Sequence, residues 1–188
     1  DFYPWFCINP IAQSSILGLS SAFKINSWPY PKQSTRQFAS YENGGYVILK
    51  NKSVILSADL GASPEKKFSN DYQSGALSFE IISNGKKLIS NCGYYKKKDK
   101  LNQLSKLSAT QSTLTIDDNS SCSFKKVFGS FLIKKGLKII NKTSVFKKDY
   151  WKVNASHDGY LKKYHSIHDR QIEFYPKTMT FIGLDKII

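Results

Sequence analysis

Residues 68–93 read FSNDYQSGALSFEIISNGKKLISNCG, and this stretch decides how the chain folds. The segments ALSFEII (76–82) and KLISN (87–91) flank Asn84-Gly85. That dipeptide suits a two-residue type I′ turn, because both central residues must take positive φ. The pattern predicts a β-hairpin. Ahead of it, residues 69–75 form a polar, glycine-bearing loop that a bare hairpin does not require.

Outward from this hairpin, the period-two pattern begins near Gly45 and runs to the C-terminus. Strands are expected over 46–49, 54–58, 76–82, 87–91, 112–116, 126–133, 137–140, 151–155, 160–164, 171–175 and 178–182. Between them stand turn residues: Asn51-Lys52, Asn84-Gly85, Lys135-Gly136, Asp158-Gly159 and Pro176. Many short strands with frequent turns predict an all-β fold, a sandwich of stacked antiparallel sheets. Residues 1–44 read differently. Asn9-Pro10 is a helix start, with Asn as cap and Pro in the first turn. Ile16, Leu17, Leu19 and Phe23 follow near helical spacing, and 27–40 reads as linker. The expected domains are therefore a helix-and-linker segment over 1–44 and a β-sandwich over 45–188. Residues 94–106, with Lys96-Lys97-Lys98, read as a solvated basic loop.

A chain of 188 residues, 40% hydrophobic and 14% aromatic, has enough apolar material for one ordered domain. No apolar run approaches the roughly 20 residues of a membrane helix. The opening DFYPWFCINP has neither a basic n-region nor a small-residue cleavage site, and no initiator Met, which suggests a piece of a longer chain. The net charge is +14, nearly all from lysine, since the arginines are Arg36 and Arg170 alone. Two readings of that excess stand: a codon-biased, solvated surface, or a field that attracts a polyanion such as an acidic polysaccharide. Nucleic acid is a third reading and ranks last, because the Arg forks that hold bases bidentately are nearly missing. Cys7, Cys92 and Cys122 are odd in number and lack CxxC spacing, so they form neither a disulfide framework nor a zinc ribbon.

Three segments together resemble one family. The first is the loop and hairpin just quoted, ending in Asn91-Cys92-Gly93. The second is ATQSTLTID (109–117), and the third is ASHDGYLKKYHSIHDR (155–170). In this order they are similar to the three signatures of the heparinase II/III-like polysaccharide lyases: a His-x-His loop before a Leu-Ser-Phe-Glu strand, an Ala-His-Asn/Ser-Thr strand, and a His-x-Gly-Tyr turn before a His-x-Arg strand. The resemblance implies the C-terminal β-sandwich of such a lyase, with residues 1–44 as the tail of an upstream α/α toroid. It also implies a sandwich truncated at its C-terminus, because FIGLDKII (181–188) resembles a strand normally followed by others. The implied activity is cleavage of uronate-containing polysaccharide by β-elimination, with most of the catalytic Tyr, Asn and His on the toroid. The implied location is the periplasm or cell envelope.

Carried over position by position, the pattern changes at its ligands. The family's catalytic His falls at Asp71. Its zinc ligands fall at Gln73, Asn91 and Gln111, all carboxamides, which are poor zinc ligands beside imidazole and carboxylate. No metal and no cofactor are expected. Either the three amides form a converted, mutually hydrogen-bonded cluster, or they are unrelated polar loop residues. Asp71, Tyr72, Gln73 and His157 are the candidate substrate contacts. His157, His165 and His168 lack the spacing of a metal site, so His157 is expected to hold its turn, and His168 with Arg170 to support the sheet. A competing reading is a non-catalytic polysaccharide-binding or structural module, with an independent lectin-like protein more distant.

Overall fold

The computed structural model describes residues 38–41, 44–93 and 99–188. The helix expected within residues 11–23 lies outside the described residues. Strands β1 (Phe38–Tyr41), β2 (Tyr46–Lys50), β3 (Val54–Asp59), β4 (Phe79–Ser83) and β5 (Lys86–Ile89) form one antiparallel sheet in that order. Strand β1 pairs along β2, so the sheet begins inside the segment read as linker. The hairpin forms as expected, with Asn84 at φ 48° and Gly85 at φ 76°. The turn before β3 is closed by the Asn51 side chain, whose Oδ1 accepts from the N–H of Ser53 and of Val54 at 2.9 and 2.8 Å.

The second sheet has the order β11-β10-β9-β8, from β8 (Ile139–Phe146), β9 (Trp151–His157), β10 (His168–Tyr175) and β11 (Thr180–Ile187). Between the two sheets in sequence, β6 (Ser123–Val127) and β7 (Ser130–Lys135) make a separate two-stranded ribbon. Period-two alternation turns Val47, Leu49, Val54, Leu56, Ala58 and Ile81 toward Trp151, Val153, Ala155, Ile172 and Phe174 of the second sheet, and these residues form one buried core. Trp151 meets Phe174 edge-on with ring centres 4.8 Å apart, and Phe174 stacks on Phe181 at 4.3 Å. The fold is an all-β sandwich, as the strand pattern predicts.

Four segments depart from the sequence reading. Residues 126–133 are not one strand: Phe128 and Gly129 take φ 46° and 84° and make the tip of the β6–β7 hairpin, where Phe128 is fully exposed. An apolar residue at a positive-φ position conceals the turn. Residues 112–116 form a loop, with a lone bridge between Ile116 and Asn119 and positive φ at Asp117 and Asp118. Its carbonyls are taken by side chains, Tyr160 Oη donating to Leu114 O at 2.6 Å and Tyr164 Oη to Ile116 O at 3.2 Å, so no strand ladder is needed. Residues 160–164 are not strand but one helical turn, α2 (Leu161–Tyr164), ended by His165 in the left-handed region. The loop expected over 94–106 includes helix α1 (Asp99–Ser105). Among the described residues, no helix is long and apolar enough to cross a membrane.

Candidate functional site

The loop 69–75 is fixed from three sides. Ser69 is fully buried; its hydroxyl donates to Lys66 O at 2.6 Å and accepts from the N–H of Ile133 in β7 at 2.9 Å. From the far side comes Lys106, 2% exposed, whose Nζ donates to the carbonyls of Asn70 and Tyr72, the latter at 3.0 Å. The same ammonium lies 5.1 Å from the centre of the Phe124 ring. Burial pushes its pKa down to about 8, against the opposing pull of Asp71. Lys106 thus corrects the reading of 94–106 as a merely solvated basic loop: its last lysine is the internal strut of the first signature. The third tie is the backbone bond from Ser74 N to Lys106 O, 2.9 Å.

This bracing sorts the candidate substrate contacts. Asp71 stands at the exposed crest, its Oδ1 accepting from Asn70 Nδ2 at 3.0 Å. Tyr72 is half-buried, with its hydroxyl 3.9 Å from the Cys122 thiol. Gln73 is also half-buried, and its amide donates to Gly93 O at 2.5 Å. His157 is fully buried and offers no surface to a substrate.

The three amides implied as former ligand positions are hydrogen-bonded to other groups, and none bonds to another among the described residues. Each bonds to main chain or a hydroxyl of a neighbouring loop. Asn91 Oδ1 accepts from Ser112 N at 2.7 Å while its Nδ2 donates to Ser78 Oγ at 3.3 Å. Gln111 Nε2 donates to Ser105 O at 2.8 Å. A mutually bonded cluster is therefore corrected to a set of cross-loop ties. The physical reason is that each amide lies beside a loop carbonyl, N–H or hydroxyl that needs a partner. Ser112 strengthens the junction: its hydroxyl accepts from Phe79 N at 2.8 Å and donates back to Phe79 O at 2.5 Å, standing in for a strand neighbour at the start of β4.

Beneath these loops runs a buried polar chain. Gly159 N–H donates to His157 Nδ1 at 3.0 Å, so His157 holds its own turn as expected. Burial first, then His168 beside it, pushes the His157 pKa down to about 3, so the ring is neutral with its proton on Nε2. That proton is donated to His168 Nδ1 at 3.2 Å, and His168 Nε2–H donates to Asp185 Oδ1 at 2.7 Å. Arg170 completes the chain. Its Nε and Nη2 grip Asp185 at 2.7 and 2.8 Å, and its Nη1 donates to Leu77 O at 2.9 Å and to Ser112 O. Burial alone raises the Asp185 pKa, but the hydrogen bonds from His168 and Arg170 and the arginine's charge win and hold it well below the usual carboxylate range. One guanidinium on the third signature thus ties down carbonyls of the first and second. Asp185 and Lys106 lie outside the three signatures, which is why motif reading passes over them.

Residues 33–188 match the family model described as Heparinase II/III-like, C-terminal. Among solved structures, the chain is similar to the crystal structure of heparinase III, with 19% identity and a TM-score of 0.55. That match covers 77% of this chain and 21% of the other, so this chain spans about a fifth of that protein's length. At this identity the likeness is one of fold. No curated protein matches the sequence. With three signatures in family order, a sandwich that brings them together, and a family match over most of its length, the chain belongs to the heparinase II/III-like family, in the C-terminal domain.

Proposed function

We propose that this chain is the β-sandwich part of a polysaccharide lyase that cleaves uronate-containing chains by β-elimination, and that it does not perform the elimination alone. The reading is supported above all by the meeting of the three signature segments, which Arg170 joins through Leu77 and Ser112. In β-elimination the uronate carboxylate is neutralised, a base takes the proton from C5, and an acid protonates the oxygen leaving C4. Asp71 at the crest repels a carboxylate and does not neutralise it. Charge neutralisation and the remaining proton transfers fall to a partner, which we take to be a helical toroid domain, with the sandwich presenting loop 69–75 to the sugar chain. We place this function in the periplasm or cell envelope, on the family resemblance alone.

The purified chain is expected to release no unsaturated uronate from glycosaminoglycan or alginate, followed by the ultraviolet absorbance of the product. The same assay with a toroid domain of a related lyase supplied is expected to show activity. Product formed by the chain alone, but not by a denatured control, overturns the division of labour. A second reading, a non-catalytic polysaccharide-binding module, is favoured by the acidic residue at the catalytic His position; it gains if binding persists while no toroid restores cleavage.

The chemistry of Gln73, Asn91 and Gln111 also makes this branch independent of zinc. Elemental analysis of the purified protein is expected to give well under one zinc per chain. About one zinc per chain, lost on Gln73→Ala, is the result that sinks this.

A further inference from the structure

Where the first sheet meets β8, an open cleft of about 910 Å³ is lined by Tyr46, Asp59, Gly61, Tyr72, Lys138 and Lys142 among others. Nothing in the three signatures except Tyr72 belongs to it. Tyr46 and Asp59 lie directly opposite one another across β2 and β3, and therefore on one face. The Asp59 carboxyl receives one hydrogen bond among the described residues, from Gly61 N–H at 2.9 Å, which leaves it acceptor capacity. Burial raises its pKa to about 7; the Tyr46 phenol is pushed up by Asp59 and then by burial, and the Tyr72 phenol by burial first. The cleft lining thus includes a partly protonated carboxyl and two phenols, able both to donate and to accept.

The walls are built, not incidental. Gly45 takes φ +72° and lies so close to Gly61 that a Cβ on it would come within 2.2 Å of the Gly61 Cα, which sets the two loop backbones in contact. Loop 60–64 is pinned beyond that point by Ser63, whose hydroxyl accepts from Leu137 N at 2.6 Å and donates to Leu137 O at 3.0 Å. The cationic side comes from a β-bulge. Ile139 pairs with His157 and Lys142 with Ala155, and the register shifts between Ile139 and Asn141. Ile139 and Lys142 are three positions apart, so a regular strand would put them on opposite faces. The extra residue at the bulge places both on the face of Ala155, which is the core face. The bulge therefore puts the exposed Lys142 on the core-facing side of β8, which among the described residues is an edge strand of its sheet.

We propose that this cleft is a binding site for an anionic sugar residue, with its acid group held by Lys138 and Lys142 and its hydroxyls by Asp59 and Tyr46. In its protonated form the carboxyl does not repel an anion, and two ammonium groups attract it. The phenols and carboxyl provide the short, bidentate-capable partners that vicinal hydroxyls need. The substrate class rests on the proposed function above, but the site does not: it is separate from the crest of loop 69–75.

The test is calorimetric titration of the purified chain with a uronate-containing tetrasaccharide prepared from heparin, at low salt. Expected results are saturable binding, a loss of about tenfold or more for Lys142→Gln, recovery for Lys142→Arg, and a several-fold loss for Tyr46→Phe. Lys177→Gln, on the distant β10–β11 turn, is expected to change affinity less than twofold, and neutral maltotetraose is expected not to bind. Equal losses for Lys142→Gln and Lys177→Gln mean a diffuse lysine field and overturn the site, as does equal binding of the neutral sugar or no binding at all. Binding that ignores Lys142 but falls with Asp71→Ala overturns the cleft and leaves the proposed function standing.

Discussion

Arg170→Met is expected to cost this domain a large share of its stability. The guanidinium is the shared partner of the Asp185 carboxylate and two main-chain carbonyls from loops 93 and 58 residues away in sequence. Its side chain is only 11% exposed. Removing one member of a buried ion pair costs about 3–5 kcal/mol, and this pair is expected to cost less, because the Asp185 side chain is 36% exposed and its remaining charge is partly met by water. Each carbonyl left without a partner adds roughly 1 kcal/mol or more. Against a total of about 5–15 kcal/mol for a domain, that is a large share. Arg170→Lys is expected to recover only part of it, since an ammonium cannot span carboxylate and carbonyls in one plane. Urea unfolding followed by tryptophan fluorescence measures both. A loss under about 1 kcal/mol for Arg170→Met would show that water replaces the arginine without penalty.

Asp59→Asn is expected to act in the opposite direction, by an amount that grows as pH rises from about 4 to about 7. Folding raises the Asp59 pKa from 3.8 to about 7, so the folded chain holds this proton more tightly than the unfolded one. The stability conferred by that proton is complete below pH 3.8, declines as pH rises between 3.8 and about 7, and is gone above. At 1.36 kcal/mol per unit the full effect is about 4 kcal/mol as an upper bound. Asparagine keeps the Oδ1 that accepts from Gly61 N–H and never ionises. The variant is therefore expected to match the parent near pH 4 and to exceed it by roughly 2–4 kcal/mol at pH 8. The Tyr46 and Tyr72 phenols, raised in part by Asp59 itself, stay protonated from pH 4 to 8 in both proteins and add nothing to the difference. Stability curves of the two proteins that run parallel from pH 4 to 8 would refute the burial of this charge.

Local rules carried the sheets and lost the places where tertiary contacts overrule them. Asn84-Gly85 announces its hairpin because both residues accept positive φ cheaply, and the alternation through Val54, Leu56 and Ala58 marks one face of β3 as core. Phe128 announces nothing, although it turns the chain just as sharply. Residues 112–116 look like a strand from composition, yet their polar groups are met by Asn91, Tyr160, Tyr164 and Arg170, none of them a strand neighbour. The candidate site was legible where the motif residues themselves converge. Lys106 and Asp59 were not, because a lysine or an aspartate in sequence reads as solvated until its burial is known. The aim of Lys142 depends on a one-residue bulge, which no spacing rule foretells.

The strand order of both sheets follows sequence order without a crossover. Each sheet can therefore be assembled within one contiguous stretch, 38–89 for the first and 139–187 for the second, and local closure is the fast part of folding. The bonds from Arg170 to Leu77 and Ser112 belong to neither stretch; they exist only once the two halves have come together. The meeting of the signatures is then expected to follow the assembly of the two sheets. Loss of Arg170 would speed unfolding far more than it slows folding. In this domain the strands can be present while the site is still unmade.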